Sequence, residues 1–167
     1  MRFGPLAIRS AWKPMNTSEA PIVALVDDNP GDIELMTMAF DTQALEVRLR
    51  VFGSGPEAFY CFRDLVDHPG MELPHLLLLD LNMPGLNGFQ LLAYLRGQQA
   101  LLAMKILIFS STHRHRDHAR ALELGASGIL VKPADWTSYG ALIDQIRPHL
   151  VVAAGDNGGA RSPDVPS

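Results

Sequence analysis

The sequence has little cysteine, no long apolar run and no excess of basic residues. Cys61 is the single cysteine among 167 residues, so it has no partner for an internal disulfide. This fits a reducing compartment and predicts a cytoplasmic protein. No apolar stretch reaches the roughly 18 residues needed to cross a bilayer, which predicts no membrane insertion. A formal net charge of −4 argues against direct nucleic-acid binding, which requires a basic surface.

The two ends of the chain lack the apolar content of a packed domain. Residues 1–20 mix Gly4, Pro5 and scattered basic side chains, so we predict a flexible leader rather than a signal peptide. Residues 152–167 are rich in Gly, Pro, Asp and Ser and predict a disordered tail. Residues 21–151 have the length of one domain, and no second domain is expected after them.

Between the ends, short apolar runs alternate with amphipathic segments. Strands are predicted at residues 22–26, 47–51, 75–81, 106–109 and 128–131. Helices are predicted at residues 30–40, 54–66, 88–96, 115–124 and 135–150. The second strand alternates apolar and basic residues, which predicts an edge position. Five βα units in succession predict a parallel sheet with helices on both faces and a ligand site beyond the carboxyl ends of the strands.

Capping residues mark the starts of several of these helices. Asn29 can cap the first helix, with a proline in its first turn. Ser54 and Glu57 have the spacing of a capping box at the start of the second helix. Asp135 can cap the last helix, which must tolerate Pro148 or kink there.

Every strand except the second ends in a polar residue that can take part in chemistry. These residues are Asp27 and Asp28, Asp80, Ser110 and Ser111, and Lys132. Three carboxylates at one edge of a sheet repel one another and would not all ionise unless a cation held them. Oxygen ligands of this kind suit Mg²⁺. With a lysine and a hydroxyl donor, the set contains the groups that phosphoryl transfer to a carboxylate requires.

The segments around these residues closely resemble the receiver domains of two-component response regulators. In chain order they are VALVDDNPGDIELM, LLLLDLNMPGLNGFQLL, ILIFSS and LGASGILVKP. Ser110 follows Asp80 by 30 residues (110 − 80) and Lys132 follows it by 52 (132 − 80), spacings typical of that family. The resemblance covers nearly all of residues 21–151. It implies an α/β, flavodoxin-like, doubly wound sheet of five parallel strands in the order 2-1-3-4-5, with five helices.

The same resemblance implies which residues bind the phosphoryl group and the metal. Asp80 would attack phosphorus and become the acyl phosphate. Asp28 would bind Mg²⁺ directly and Asp27 would help, through water. Asp80 itself and the backbone carbonyl of Asn82 would complete the ligands that the protein supplies.

The resemblance also assigns roles around the phosphoryl group. Ser110 takes the place of a Ser or Thr that moves toward the phosphoryl group, and Lys132 pairs with a phosphoryl oxygen. Pro133 is expected to follow a cis peptide bond that aims the lysine into the site. Gly88 is expected to let the preceding loop close against the third helix. The family often has Tyr or Phe where this chain has Ile129, so signalling by rotation of an aromatic ring is not expected.

The implied function is a single-domain response regulator that is phosphorylated by a sensor histidine kinase. The opening DDNPGDIELM is similar to stand-alone receivers that work with phytochrome-type and other sensor kinases. Output would be protein–protein contact, or relay of the phosphoryl group to a histidine phosphotransfer protein. The fourth helix, fifth strand and fifth helix form the face through which such domains often dimerise.

Two other functions use some of the same residue types. A haloacid-dehalogenase-type phosphatase also uses an aspartate nucleophile, but on its first strand and with a second acid two residues later. Here Asp80 follows the third strand and the residue two later is Asn82. A pseudo-receiver that keeps the fold without phosphorylation is disfavoured by the intact Asp28, Asp80 and Lys132.

For two further groups of residues we predict a structural role rather than a functional site. His113, His115 and His118 do not obviously converge and have no Cys or Glu to complete a zinc site, so a solvated helix start is expected. Trp136 and Tyr139 are expected to pack in the core rather than to form an exposed aromatic patch.

Overall fold

The computed structural model describes residues 20–111 and 113–150, in which five strands alternate with five helices. The strands are β1 (Ile22–Val26), β2 (Arg48–Phe52), β3 (Leu76–Leu79), β4 (Lys105–Ser110) and β5 (Gly128–Val131). The helices are α1 (Pro30–Thr42), α2 (Gly55–Asp67), α3 (Gly88–Arg96), α4 (His115–Glu123) and α5 (Tyr139–Ile146). Apart from Ala20, the leader and the tail predicted at residues 1–20 and 152–167 lie outside the described residues.

All five strands are parallel and lie in the order β2-β1-β3-β4-β5, which confirms the predicted topology. β2 is at an edge, as its alternating pattern predicted. The strand order reverses between β1 and β3, so the connections leave the sheet in opposite directions there. That reversal opens a crevice at the carboxyl ends of the two strands. No helix in the described ranges is both long and apolar enough to span a membrane.

Apolar side chains cover both faces of the three central strands. Successive residues of each strand alternate between two clusters, as Val26 and Leu25 of β1 do. The cluster containing Val26 also receives side chains of α2, α3 and α4. The cluster containing Leu25 receives α1 and α5. Burial on both faces explains why these strands are continuous apolar runs, and it fixes their ends at one edge of the sheet.

The last helix differs from the prediction at both ends. Asp135 does act as a cap, but for the 3₁₀ turn Trp136–Ser138 that precedes α5. At the other end α5 stops at Ile146, and Pro148 lies in a further 3₁₀ turn. Proline has no amide hydrogen to continue the α-helical pattern, which accounts for the tighter last turn.

A complete capping box fixes the start of α3, directly after the loop that follows Asp80. The side chain of Asn87 accepts a hydrogen bond from the Gln90 amide at 3.0 Å, and the Gln90 side chain accepts one from the Asn87 amide at 3.0 Å. We expect Asn87→Ala to lower the free energy of unfolding by about 1 kcal/mol, measured by urea denaturation. Asn87→Asp keeps an acceptor and should remain near wild type. Equal stability of Asn87→Ala and wild type would contradict the role of the cap.

Candidate functional site

The ends of the strands converge on the crevice, and backbone hydrogen bonds continue just beyond them. In each case the first residue after a strand donates its amide to the neighbouring strand: Asp27 to Phe52 (3.1 Å), Asp80 to Val26 (2.9 Å) and Lys132 to Ser110 (3.1 Å). The side chains that leave the sheet at these points therefore start from fixed backbone positions.

Three carboxylates meet in this crevice, as predicted from the strand ends. One oxygen from each of Asp27, Asp28 and Asp80 lies within 4.8 Å of the others. Asp27 is fully buried and Asp80 is 5% exposed, whereas Asp28 is exposed. The Oδ1 atom of Asp27 accepts the Asn29 amide at 2.9 Å, and Oδ1 of Asp80 accepts the Asn82 amide at 3.2 Å. Each buried carboxylate thus has one oxygen fixed by the backbone and the other turned to the crevice.

Lys132 lies at the centre of the acidic group. Its Nζ atom is 2.6 Å from Oδ2 of Asp27, 2.8 Å from Oδ2 of Asp32 and 3.3 Å from Oδ2 of Asp80. Only 8% of the lysine side chain is exposed. Nζ also lies 5.2 Å from the centroid of the Phe109 ring, over a face that attracts cations. Burial alone would lower the pKa of Lys132, but the three carboxylates outweigh it and raise that pKa well above the usual lysine range.

The opposite charges do not balance in the crevice. Burial raises the pKa of Asp27 above its usual value, even though Lys132 and the Asn29 amide act to lower it. Four carboxylates, those of Asp27, Asp28, Asp32 and Asp80, surround one ammonium group. Hard oxygen ligands with excess negative charge fit a small divalent cation such as Mg²⁺, so the residues present suit the metal expected from the sequence.

Two other residues named from the sequence flank this group. Ser110 is fully buried at the end of β4, where its backbone is in register with Val131 of β5. The predicted cis peptide before Pro133 is wrong, since the described residues contain no cis peptide bond. The trans bond is compatible with the site, because Lys132 reaches all three carboxylates from it. Ile129 is half-buried beside Ile108 in the sheet.

Asp32, which is not among the predicted site residues, binds Lys132 through its carboxylate. Asp32 lies in the first turn of α1, where the positive end of the helix dipole also stabilises its carboxylate. Asn29 caps that helix by accepting the amides of Gly31 and Asp32. The signal was available as an acid in the first turn of a helix that begins at the crevice. An acid in a first helical turn also stabilises a helix by itself, so its presence alone does not indicate a site role.

The histidines and aromatics near the site fall in different places. His113, His115 and His118 lie at or before the start of α4; in the described ranges, the three aspartates are the only group of three or more His, Cys, Asp or Glu that converges. Tyr139 is buried as predicted, but Trp136 is 40% exposed, so the prediction that both pack in the core is wrong for Trp136. The indole of Trp136 stacks on the Tyr139 ring.

Comparison with known proteins gives a family match along most of the chain. The response regulator receiver domain matches residues 23–144. The nitrate/nitrite response regulator protein NarL of Escherichia coli is 34% identical over 127 residues, which are 71% of this chain and 50% of NarL. The chain therefore spans about half the length of that relative. Response regulator Rcp1 of Synechocystis sp. is 24% identical over 111 residues, 66% of this chain and 76% of Rcp1.

Solved structures of the same kind share the fold. The Mn²⁺-bound form of Rcp1 superposes with a TM-score of 0.67 at 22% identity, over 76% of this chain and 91% of that one. The phosphorylated cyanobacterial phytochrome response regulator RcpA has a TM-score of 0.71 at 23% identity, over 81% of this chain and 96% of RcpA. The bacteriophytochrome response regulator AtBRR has a TM-score of 0.63 at 27% identity, over 79% of this chain and 93% of AtBRR. With the parallel sheet in place and the family match covering residues 23–144, this chain belongs to the response regulator receiver domain family.

Proposed function

We propose that this protein is a phosphorylation-controlled response regulator that accepts a phosphoryl group on Asp80 from a sensor histidine kinase. The observation that carries the proposal is the setting of the Asp80 carboxylate. It lies at the mouth of the crevice, with Asp27 and Asp28 within 4.8 Å and the Lys132 Nζ at 3.3 Å. A nucleophilic carboxylate, a cation site and a fixed ammonium are the groups that stabilise a transferring phosphoryl group.

The reaction would form one bond and break another. A carboxylate oxygen of Asp80 attacks the phosphorus of a phosphohistidine, and the bond from phosphorus to the imidazole nitrogen breaks. The imidazole leaves with the electron pair and takes up a proton. Lys132 then turns from the carboxylates toward a phosphoryl oxygen, and the hydroxyl of Ser110 at the end of β4 donates to another. Nζ of Lys132 already lies 3.3 Å from Oδ2 of Asp80, so the ammonium has only a short distance to move.

The acids beside Asp80 would hold the metal. Asp27, Asp28 and Asp80 offer carboxylate oxygens. The backbone carbonyl of Asn82, whose amide binds Asp80, would add a further ligand. Bound Mg²⁺ would neutralise the charge that accumulates between the carboxylates and the phosphoryl oxygens. The relative Rcp1 has a Mn²⁺-bound form, which supports divalent-cation binding here.

Phosphorylation of intact protein tests the proposal directly. The protein is incubated with acetyl phosphate and Mg²⁺, and the mass of the intact chain is measured. We expect wild type and Asp144→Asn, a matched change at an exposed aspartate of α5, to gain one phosphoryl group. Asp80→Asn should gain none, and chelation of the metal should abolish the gain. No gain in wild type, or an equal gain in Asp80→Asn, would refute the proposal and favour an interaction module without phosphorylation.

The relatives also indicate partners. RcpA is a phytochrome response regulator and AtBRR a bacteriophytochrome response regulator, which supports a phytochrome-type kinase as the phosphoryl donor here. We propose that the signal leaves by protein contact or by relay to a histidine phosphotransfer protein, in the cytoplasm. A homodimer through α4, β5 and α5 is one such contact. The only catalysis proposed is the chain's own phosphorylation and dephosphorylation.

A further inference from the structure

A buried hydroxyl group next to the crevice is unused. Within the described ranges, the hydroxyl oxygen of Tyr139 has no hydrogen-bond partner. Tyr139 is the first residue of α5 and is 2% exposed. Tyrosine hydroxyls buried this deeply normally find a partner, because burial has removed their water. The Tyr139 hydroxyl is therefore a buried donor without an acceptor in the part of the chain that the structure describes.

The charged groups of the crevice act on that hydroxyl. Tyr139 belongs to the apolar cluster that also contains Met36 and Phe40 of α1. Burial is the first cause that raises the pKa of Tyr139, and the negative charge of Asp32 raises it further, while Lys132 lowers it. The fold brings the same groups together: Tyr139 begins α5 shortly after Lys132, and α5 and α1 pack in one cluster. Asp32, whose carboxylate is 2.8 Å from the Lys132 Nζ, lies in the first turn of α1.

We propose that Tyr139 is a positioning residue, whose hydroxyl donates a hydrogen bond to Asp32 when Lys132 leaves Asp32 for a phosphoryl oxygen on Asp80. The inference rests on the proposed phosphorylation of Asp80. Lys132 is divided among three carboxylates in this structure, and a phosphoryl group adds negative charge that draws Nζ toward Asp80. Asp32 then loses its cation. The Tyr139 hydroxyl replaces the hydrogen bond, so the phosphorylated arrangement gains a contact that the other one lacks.

The same movement reaches the surface through Trp136. The rings of Trp136 and Tyr139 stack with centroids 5.6 Å apart and an interplanar angle of 27°. Trp136 is 40% exposed, so the indole that stacks on Tyr139 is also partly open to solvent. When the phenol shifts toward Asp32, the indole loses or changes its stacking partner. This gives α5 a route to signal from the crevice, while Ile129 in β5 has neither a ring nor a hydroxyl to contribute.

Tyr139→Phe separates this role from packing. Beryllofluoride, which mimics a phosphoryl group on a carboxylate, is titrated with Mg²⁺ by calorimetry. Loss of a hydrogen bond to a charged acceptor should weaken binding roughly tenfold. Thermal stability without beryllofluoride should be unchanged or higher, because phenylalanine removes a buried hydroxyl that has no partner. A purely structural role would instead lower stability and leave the affinity unchanged.

Fluorescence and a second variant complete the test. In a Trp12→Phe background Trp136 is the single tryptophan, and its emission should change on adding beryllofluoride, less so with Tyr139→Phe. Tyr94→Phe, on the opposite face of the sheet, is the matched control and should behave as wild type. In an Asp32→Ala background, Tyr139→Phe should cause no further loss of affinity.

The outcomes separate the two proposals. If wild type accepts a phosphoryl group on Asp80 but Tyr139→Phe binds beryllofluoride as tightly as wild type, the role of Tyr139 is overturned and the proposed function stands. If the wild-type protein accepts no phosphoryl group, the proposed function fails and the role of Tyr139 fails with it. A further loss of affinity in the Asp32→Ala background would show that Tyr139 acts through another group and would also overturn the inference.

Discussion

Lys132→Met is expected to lower the free energy of unfolding of the metal-free protein by roughly 3–5 kcal/mol at neutral pH. Methionine fills most of the space of the lysine but leaves the buried carboxylates of Asp27 and Asp80 without the ammonium that lies 2.6 Å and 3.3 Å from them. Uncompensated carboxylates repel each other and cannot be solvated in the crevice. Mg²⁺ should restore part of the loss, and it should bind the variant more tightly because a competing cation is gone.

The pH dependence gives this prediction a definite sign. Without Lys132, the pKa of Asp27 in the folded variant should rise further above its unfolded value of 3.8, because burial is then less opposed. The folded variant then binds the extra proton more readily than the unfolded chain. Its deficit relative to wild type should therefore shrink as pH falls through the folded pKa of Asp27 toward 3.8.

Urea denaturation at several pH values, with and without Mg²⁺, measures both effects. Lys105→Met removes the same charge from an exposed position at the start of β4 and should stay near wild type at every pH. A deficit that is the same for both variants, or that Mg²⁺ and acid leave unchanged, would mean that the ion pairs of Lys132 do not stabilise the fold.

Gly88→Ala is expected to destabilise the protein by about 3 kcal/mol and to slow phosphorylation of Asp80. A Cβ atom at residue 88 would lie 2.2 Å from the Asp80 carbonyl oxygen and 2.7 Å from the Leu81 Cα. Both are backbone atoms, so no side chain can rotate away. The Gly88 amide also donates to the Leu81 carbonyl at 3.0 Å, which fixes the close approach. Relief of the clash must move the backbone of Asp80, the proposed phosphoryl acceptor.

Thermal denaturation and the rate of phosphorylation by acetyl phosphate check this second prediction. Gly53→Ala is the matched control, because the nearest atom to its added Cβ is the flexible Glu57 carboxylate at 3.9 Å. It should leave both quantities close to wild type. If Gly88→Ala were as stable and as reactive as wild type, the contact between α3 and the strand end would not be the constraint that we describe.

The sheet could be predicted from the sequence because its physical cause is local. Strands buried on both faces read as continuous apolar runs, and the reactive residues lie directly after them. Parallel strands end at one edge, so Asp27, Asp80 and Lys132 had to meet once the strands were placed. Family resemblance added the strand order and the roles, which the apolar pattern does not contain.

The residues that were missed depend on how helices pack. Asp32 contacts Lys132 because α1 begins at the crevice and the first turn of the helix faces it. A helix-cap pattern in the sequence does not show which way a first turn faces. Trp136 and Tyr139 differ in burial because Trp136 lies in the 3₁₀ turn before α5. The Tyr139 ring is in the core and the Trp136 ring is at the surface. Turns of this length have no distinct sequence period.

The ion pair of Lys132 with Asp27 joins residues that are 105 positions apart (132 − 27). During synthesis from the amino end, Asp27, Asp28, Asp32 and Asp80 all leave the ribosome before β5 exists. A chain of that length carries four acids at an open sheet edge and no lysine among them. The crevice is therefore completed only when the last strand joins β4 and brings Lys132 to the carboxylates.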